Sequence, residues 1–522
     1  MAAVSVENLS FTYAGAAAPA LKRVSFRLEA GEFGLLFGRS GCGKSTLLRC
    51  LMPEIAPVGA REGAVHTSGR VGMVMQDPDM QIVCDTVRAE LAFGLENMGL
   101  PPEEIRRRIG ETSAFFGLDG LAERECASLS GGQKQLLNLA AVTAMQPDIL
   151  LLDEPCAQID PASAAVLLAM LRRLNEQLGM TVLMSEHRLE DIYPAVTRVI
   201  AMEDGSLAVC AAPREAAAEL ADTPLSPLLP SPVRIWDALG RVGAPPLTVA
   251  EGAACVSAAE PHRGMRISLP ATPSGEMLLD ARGVYFRYER KSPDVVKSMD
   301  FSLRRGEITA LMGGNGAGKS TALRLLAGQL RPLCGRLRRG GRAALLPQDI
   351  KPLFLAETVA EELSRLCADN ALAEEVVHAL WTRLGLDGLE TRHPFDLSGG
   401  EQQRLALCKL LALSPDILLL DEPTKGLDAA AKAELLALLR ELRDAGKAIA
   451  VVSHDAEFVA RCADRCGLFW DGRVISELSA PEFFSSGLFY TTAARRISRH
   501  VFENAVTEEQ VLELCGREAR RG

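Results

Sequence analysis

The stretch GRSGCGKST, Gly38 to Thr46, recurs as GGNGAGKST, Gly313 to Thr321. This repetition confines the chain to folds in which a strand, a glycine-rich turn and a helix occur twice. The first copy follows an apolar run, Phe33 to Phe37, and precedes the helix-like LLRCLMPEI. Gly38, Gly41 and Gly43, and Gly313, Gly316 and Gly318 after them, can take backbone angles closed to residues with a Cβ, so main-chain N–H groups can approach an anion closely. The helix that follows aims its positive end, roughly half an elementary charge, at the same anion. Lys44 and Lys319 are placed to reach terminal phosphates, and Ser45 and Ser320 to ligate Mg²⁺. Ser40, Cys42 and Thr46, with Asn315, Ala317 and Thr321, complete the two phosphate-binding loops.

Further matches follow the loops at nearly constant offset. It drifts from 275 at Tyr13/Tyr288 and Lys44/Lys319, through 268 at Ser130/Ser398 and Asp153/Asp421, to 267 at His187/His454, so the chain is two homologous halves. Each half opens on β-like alternation that places Phe11 with Tyr13, and Phe286 with Tyr288, on one face. Tyr13 and Tyr288 are candidates to stack on an adenine, since a base offers an apolar face to any ring. Short strands ending in Gln76 and Gln348 suggest amides that reach the metal or an attacking water. Helical stretches then lead to LSGGQ and LSGGE, where Ser130, Gly131 and Gly132, and Ser398, Gly399 and Gly400, open helices with bare backbone. These are second anion sites or, equally, capped helix starts. Two anion-ready termini per half suggest that each nucleotide is held by one half's glycine loop and the other half's Ser-Gly-Gly.

The runs ILLLDEP at 149–155 and 417–423 read as buried parallel strands with carboxylates at their C-terminal ends. Asp153 and Asp421 are expected to hold the Mg²⁺ shell, with Gln76 and Gln348. Glu154 and Glu422 are expected to polarise the attacking water as general bases. His187 and His454 each follow a strand at the same place and are expected to contact the γ-phosphate.

In combination these motifs resemble the ATP-binding cassette (ABC) ATPases over residues 1–215 and 276–480. The resemblance implies an α/β fold of two P-loop NTPase cassettes, each with a mixed or parallel core sheet, an antiparallel β subdomain and a helical subdomain. It implies two ATP sites closed head to tail as an intramolecular pseudo-dimer, one joining Lys44, Gln76, Asp153, Glu154 and His187 with Ser398, Gly399 and Gly400, the other joining Lys319, Gln348, Asp421, Glu422 and His454 with Ser130, Gly131 and Gly132. The first half departs from the family's usual PTSGLD form with PCAQID, whereas the second reads PTKGLD. Residues 74–100 resemble the ATPases of energy-coupling factor (ECF) transporters at Gln76, Asp77, Pro78, Asp79, Gln81, Val87, Ala92, Phe93, Gly94, Glu96 and Asn97. This implies docking on a transmembrane coupling protein, which works with a small membrane substrate-binding component at the inner face of the cell membrane to import vitamins or metal ions.

Composition narrows the remaining classes. A net charge of −10 argues against a general nucleic-acid binder. The thirteen cysteines show no metal-ligand spacing and read as reduced thiols of a cytoplasmic protein. Cys462 and Cys466 read as core residues, and Cys42, at a helix start, is expected to have a lowered pKa. Neither a secretory signal nor a transmembrane run is legible. Residues 211–275 contain ten prolines and read as an extended connector, with 216–275 the linker proper and a short helix near RIWDALGRVG. The tail, 481–522, carries ARRISRH and REARRG and reads as a solvated end. The near-neutral linker separates this reading from soluble tandem cassettes that act on ribosomes, whose linker is typically a charged arm. Two whole catalytic sets separate it from the tandem ATPases of sugar importers.

Overall fold

The identical ILLLD runs, Ile149–Asp153 and Ile417–Asp421, are buried throughout, as parallel strands covered on both faces must be. Each lies within a six-stranded sheet, and the two sheets belong to different units of the computed structural model, Met1–Gly252 and Ala253–Arg521. The structure describes residues 2–157, 159–259, 264–268 and 275–516.

The first unit begins with β1 (Ala2–Tyr13), β2 (Leu21–Glu29), β3 (Phe33–Gly38), α1 (Lys44–Cys50), β4 (Gly59–Thr67) and β5 (Val71–Val74). The helical part follows as α2 (Val87–Asn97), α3 (Pro102–Phe116) and α4 (Gly131–Ala144). Then come β6 (Ile149–Asp153), α5 (Pro161–Leu178), β7 (Thr181–Ser185), β8 (Arg198–Glu203) and β9 (Ser206–Ala211). The order β5-β6-β7-β3-β8-β9 is parallel except for β9, and β2-β1-β4 form a separate antiparallel sheet. One apolar cluster joins Val6, Leu9 and Phe11 of the small sheet to Leu47 and Leu48 of α1 and to Leu151 and Leu183 of the large one. The helix that carries Lys44 is therefore clamped between two sheets. The unit closes with α6 (Pro213–Leu220) and α7 (Ser231–Ala238), and α8 (Val249–Ala258) spans the boundary.

The second unit repeats this plan with β10 (Met277–Phe286), β11 (Val296–Arg304), β12 (Glu307–Met312), α9 (Lys319–Ala327), β13 (Cys334–Arg339), β14 (Ala343–Leu346), α10 (Val359–Asn370), α11 (Glu374–Arg383), α12 (Gly399–Ala412), β15 (Ile417–Asp421), α13 (Ala429–Asp444), β16 (Ala448–Val452), α14 (Ala456–Cys462), β17 (Arg465–Trp470) and β18 (Arg473–Ser479). Its sheets are β14-β15-β16-β12-β17-β18 and β11-β10-β13. It ends with α15 (Ala480–Ser486), α16 (Ala493–Ser498) and α17 (Glu508–Leu514).

Two segments differ from their expected form. The stretch 211–275, expected as an extended connector with one short helix near RIWDALGRVG, has that helix as α7 but also folds α6 and α8, and Leu220, Val233, Ile235 and Trp236 are buried. Residues 260–263 and 269–274 lie outside the described residues. The expected solvated tail is likewise folded: Ile497, Phe502, Val506 and Val511 are buried, and Arg495 donates to the carbonyls of Phe502 and Ser485. The REARRG run lies outside the described residues. These appendages are themselves a repeat. Glu190 accepts from the amide of Ser231 at the start of α7 (3.4 Å), and its counterpart Glu457 accepts from that of Ala493 at the start of α16 (2.5 Å). Thr248 and Thr507 then receive the amides of Glu251 and Gln510 at the starts of α8 and α17.

Candidate active site

Strand register brings the first group of side chains together. Asp153 ends β6 opposite Ser185 of β7, and Leu36 of β3 is Ser185's other neighbour. The loop after β3 therefore opens beside Asp153. Gly43 caps α1 at φ 99°, where a Cβ would lie 2.7 Å from the Ala20 carbonyl, so glycine is required for the turn into the helix. Gly41, at φ 76°, borders open space instead. Ser40 and Gly41 are exposed, and Lys44 is buried. The Lys44 ammonium donates to the carbonyls of Gly38 (3.1 Å) and Arg39 (3.2 Å) and lies 3.9 Å from Glu154. Ser45 donates to Asp153 Oδ1 at 3.0 Å, and Ser185 donates to the same oxygen at 2.8 Å. Gln76 Nε2 donates to Glu154 Oε2 at 2.9 Å, and His187 Nε2 meets Glu154 Oε1 at 2.7 Å. Six of the expected residues, Lys44, Ser45, Gln76, Asp153, Glu154 and His187, thus converge.

The second unit assembles the same group with different bonds. Lys319 donates to the carbonyls of Gly313 and Gly314, each at 2.8 Å, and its ammonium lies 3.5 Å from His454 Nε2. His454 Nε2 is 3.1 Å from Glu422 Oε1, but that oxygen has no aligned hydrogen bond. Gln348 is exposed beyond the end of β14, and no hydrogen bond joins it to Glu422 among the described residues. Glu154 and Glu422 both have positive φ, 45° and 51°. Such strain persists only where the surroundings enforce it, and it gathers at functional sites.

Electrostatics separates the two glutamates. Burial acts to raise the Glu154 carboxyl, but the hydrogen bond and charge of His187, together with the Lys44 ammonium, hold it below the usual carboxylate range. Burial prevails at Glu422 and pushes it up to about 7, against the His454 amide and the Lys319 charge. Burial also raises both Asp153 and Asp421, against hydrogen bonds from Ser45 and Ser185 in the first case and from Ser320 in the second. The second aspartate keeps a buried oxygen, Oδ1, without a hydrogen-bond partner. Beside Ser320, that orphaned oxygen fits a divalent cation. No all-protein metal cage occurs among the described residues, and Mg²⁺ typically takes one or two carboxylates plus phosphate oxygens.

The remaining expected residues sit around these groups. Tyr13 and Tyr288 are partly exposed, with hydroxyls 2.8 and 3.0 Å from those of Thr46 and Thr321 and rings edge-on to Phe11 and Phe286. Asn315 and Gly316 are exposed, and Ala317 is partly covered. Ser130 and Ser398 cap α4 and α12 in capping boxes with Gln133 and Glu401, which is the capped-helix alternative in physical form. Gly131 and Gly399 are exposed at those termini. Cys42 departs from expectation. It is 3% exposed, and burial raises its thiol despite Lys44 and the neighbouring amides, so it is not the activated cysteine a helix start suggested. Cys462 and Cys466 are buried core thiols, raised chiefly by burial.

Sequence reasoning missed the pairs behind these side chains. Glu186, fully buried, accepts from the amides of Cys156 (2.8 Å) and His187 (3.2 Å). The same two positions in the second unit hold Thr424 and Ser453, with hydroxyls 3.2 Å apart. Aligning the halves at offsets 268 and 267 sets Cys156 against Thr424 and Glu186 against Ser453, and the fold brings the two members of each pair together.

A family model described as "ABC transporter" matches residues 21–157 and 296–425. The chain is 38% identical over 551 residues to a protein of Bacillus thuringiensis subsp. konkukian (strain 97-27), provisionally named an ABC transporter ATP-binding protein, covering 99% of this chain and 98% of that one. It is 32% identical to a Bacillus subtilis (strain 168) protein provisionally named for HMP/thiamine import, with 97% of each covered. A solved structure titled "RNase-L Inhibitor" shares the fold, with a TM-score of 0.61 and 22% identity over 92% of each chain.

Proposed function

The chain belongs to the ABC transporter ATP-binding proteins as a tandem ATPase, and from that premise we propose that it is the ATP-hydrolysing energy-coupling subunit of an ECF-type importer of a vitamin or metal ion. The observation that carries the hydrolytic half of this reading is the convergence of lysine, aspartate, glutamate and histidine twice, at Lys44, Asp153, Glu154 and His187 and at Lys319, Asp421, Glu422 and His454. The ECF assignment is supported by the match at residues 74–100 and by the full-length relative whose name refers to HMP/thiamine import. Residues 1–215 and 276–480 are the ATPase domains in this reading.

Each residue then has a definable task. Lys44 and Lys319, held by loop carbonyls, turn to the terminal phosphates when ATP enters. Ser45, Asp153 and Gln76, and Ser320, Asp421 and Gln348, would hold Mg²⁺, which neutralises charge on the phosphate oxygens. Glu154 and Glu422 accept the proton of the attacking water, and His187 and His454 orient that carboxylate and face the γ-phosphate. Tyr13 and Tyr288 cover the adenine. From the family resemblance, Ser398, Gly399 and Gly400 complete the pocket of Lys44, and Ser130, Gly131 and Gly132 that of Lys319. ATP then favours the closed pair because it binds that form across two surfaces.

No helix among the described residues is long and apolar enough to cross a membrane, so the reading requires partners that are. Affinity capture of the full chain from detergent-solubilised membranes tests it. A transmembrane coupling protein with a small substrate-binding membrane component is the expected catch, and recovery with ribosomes and no membrane component would contradict it.

A further inference from the structure

Glu186 is a buried carboxylate that no step above uses. It is 3% exposed, and an uncompensated charge there would be costly. Its compensation is local. Oε1 accepts from the Cys156 amide at 2.8 Å and Oε2 accepts from the His187 amide at 3.2 Å, bonds that oppose the upward push of burial on this carboxyl. Cys156 lies two residues beyond Glu154, and His187 carries the imidazole that meets Glu154. One buried side chain thus joins the turn after the glutamate to the turn that bears its histidine. The second unit ties the same turns with a hydroxyl pair, Thr424 and Ser453. There the imidazole and carboxylate are 3.1 Å apart, against 2.7 Å in the first unit.

We propose that Glu186 is a positioning residue of the first hydrolytic centre, whose carboxylate locks the Cys156 and His187 turns together and so sets the His187 imidazole against Glu154. The proposal rests on the reading that Glu154 and His187 act on ATP. A carboxylate suits the task because charge-assisted acceptors bind amide donors more tightly than neutral ones, and its two oxygens serve both turns at once. Cys156 and Glu186 form one unit, as Thr424 and Ser453 do. The cysteine of PCAQID is then one half of a pair whose other half is Glu186.

The test uses the full chain carrying Glu422→Gln, so that turnover reports the first centre. Adding Glu186→Ser is expected to lower kcat about tenfold to thirtyfold with KM within about twofold, since misplacing a reacting group by about 1 Å costs roughly a hundredfold. Glu186→Gln keeps the shape and one acceptor and is expected to lose only about threefold. Cys156→Thr added to Glu186→Ser rebuilds the second unit's hydroxyl pair and is expected to restore kcat to within about threefold of the parent. Thermal unfolding midpoints of the variants accompany the kinetics. Unchanged kcat in Glu186→Ser overturns the proposal. So does a paired variant no better than Glu186→Ser, because the loss would then come from damage to the core and not from lost positioning. A Glu422→Gln parent without turnover removes the reading of the first centre, and the proposal with it.

Discussion

Glu154 and Glu422 occupy the same place in two copies of one motif, yet their surroundings hold them differently. In the first unit Gln76 and His187 both bond the glutamate, Ser185 bonds the neighbouring aspartate, and the carboxyl is held low. In the second, Val452 stands where Ser185 does, Asp421 keeps an orphaned oxygen, and Glu422 is pushed up to about 7. The helical parts differ too. A Cβ on Gly132 of α4 would sit 2.6 Å from Ser163 Oγ of α5, whereas one on Gly400 of α12 meets nothing closer than 3.7 Å. Beside Gly400, a cavity of about 560 Å³ reaches between α12 and α13, bordered by Gln403, Leu427 and Leu435. At its edge Arg383 pairs with Glu441, at the positions where the first unit stacks Arg173 on Phe115. The residues proposed to touch phosphate are duplicated almost letter for letter, and the shell that sets their protonation and packing has diverged.

Replacing both glutamates, Glu154→Gln with Glu422→Gln, should lower ATP turnover by about a thousandfold in a steady-state assay, the scale of a lost general base. The unequal carboxyls should also appear in stability without nucleotide and with a chelator present. The Glu422 carboxyl releases its proton near 4.5 when unfolded and near 7 in the fold. The fold therefore loses about 3 kcal/mol of stability as pH rises through that interval, and urea unfolding of Glu422→Gln should not show this loss. Glu154 has the opposite sign: its lowered pKa favours the fold above the unfolded value, and the benefit fades as pH falls below it. Gly132→Ala should then cost about 1–3 kcal/mol by overpacking against Ser163, while Gly400→Ala should fall within about 0.5 kcal/mol of the parent in the same unfolding assay. Arg383→Ala, which removes an exposed pair, should change stability by less than about 1 kcal/mol.

Much of this is legible in the sequence. Glycine loops, buried ILLLD strands and Ser-Gly-Gly helix starts are short-range patterns with one physical solution each, and they lie where the spacing placed them. Part of the proline-rich stretch folds instead of extending, because two of its prolines open helices. Pro213 begins α6 and Pro232 sits in the first turn of α7, where a missing N–H costs nothing. The basic tail looks solvated in sequence but is folded, because Arg495 turns its guanidinium onto backbone carbonyls while Ile497 and Phe502 are buried. At Cys42 the pull of the helix start and Lys44 on the thiol is outweighed by burial, which sequence does not show. The Cys156 and Glu186 pair is not legible in sequence, because each residue alone looks like ordinary drift and only the fold puts them in contact.

The central claim is that both halves carry a working hydrolytic centre. Steady-state ATP turnover of the full chain, as Glu154→Gln and as Glu422→Gln separately, tests it most directly. The account predicts that each single change lowers turnover and that neither leaves it whole. Either variant turning over ATP at the full parental rate would show that its glutamate takes no part, and that the chain has one working centre and one imitation of it.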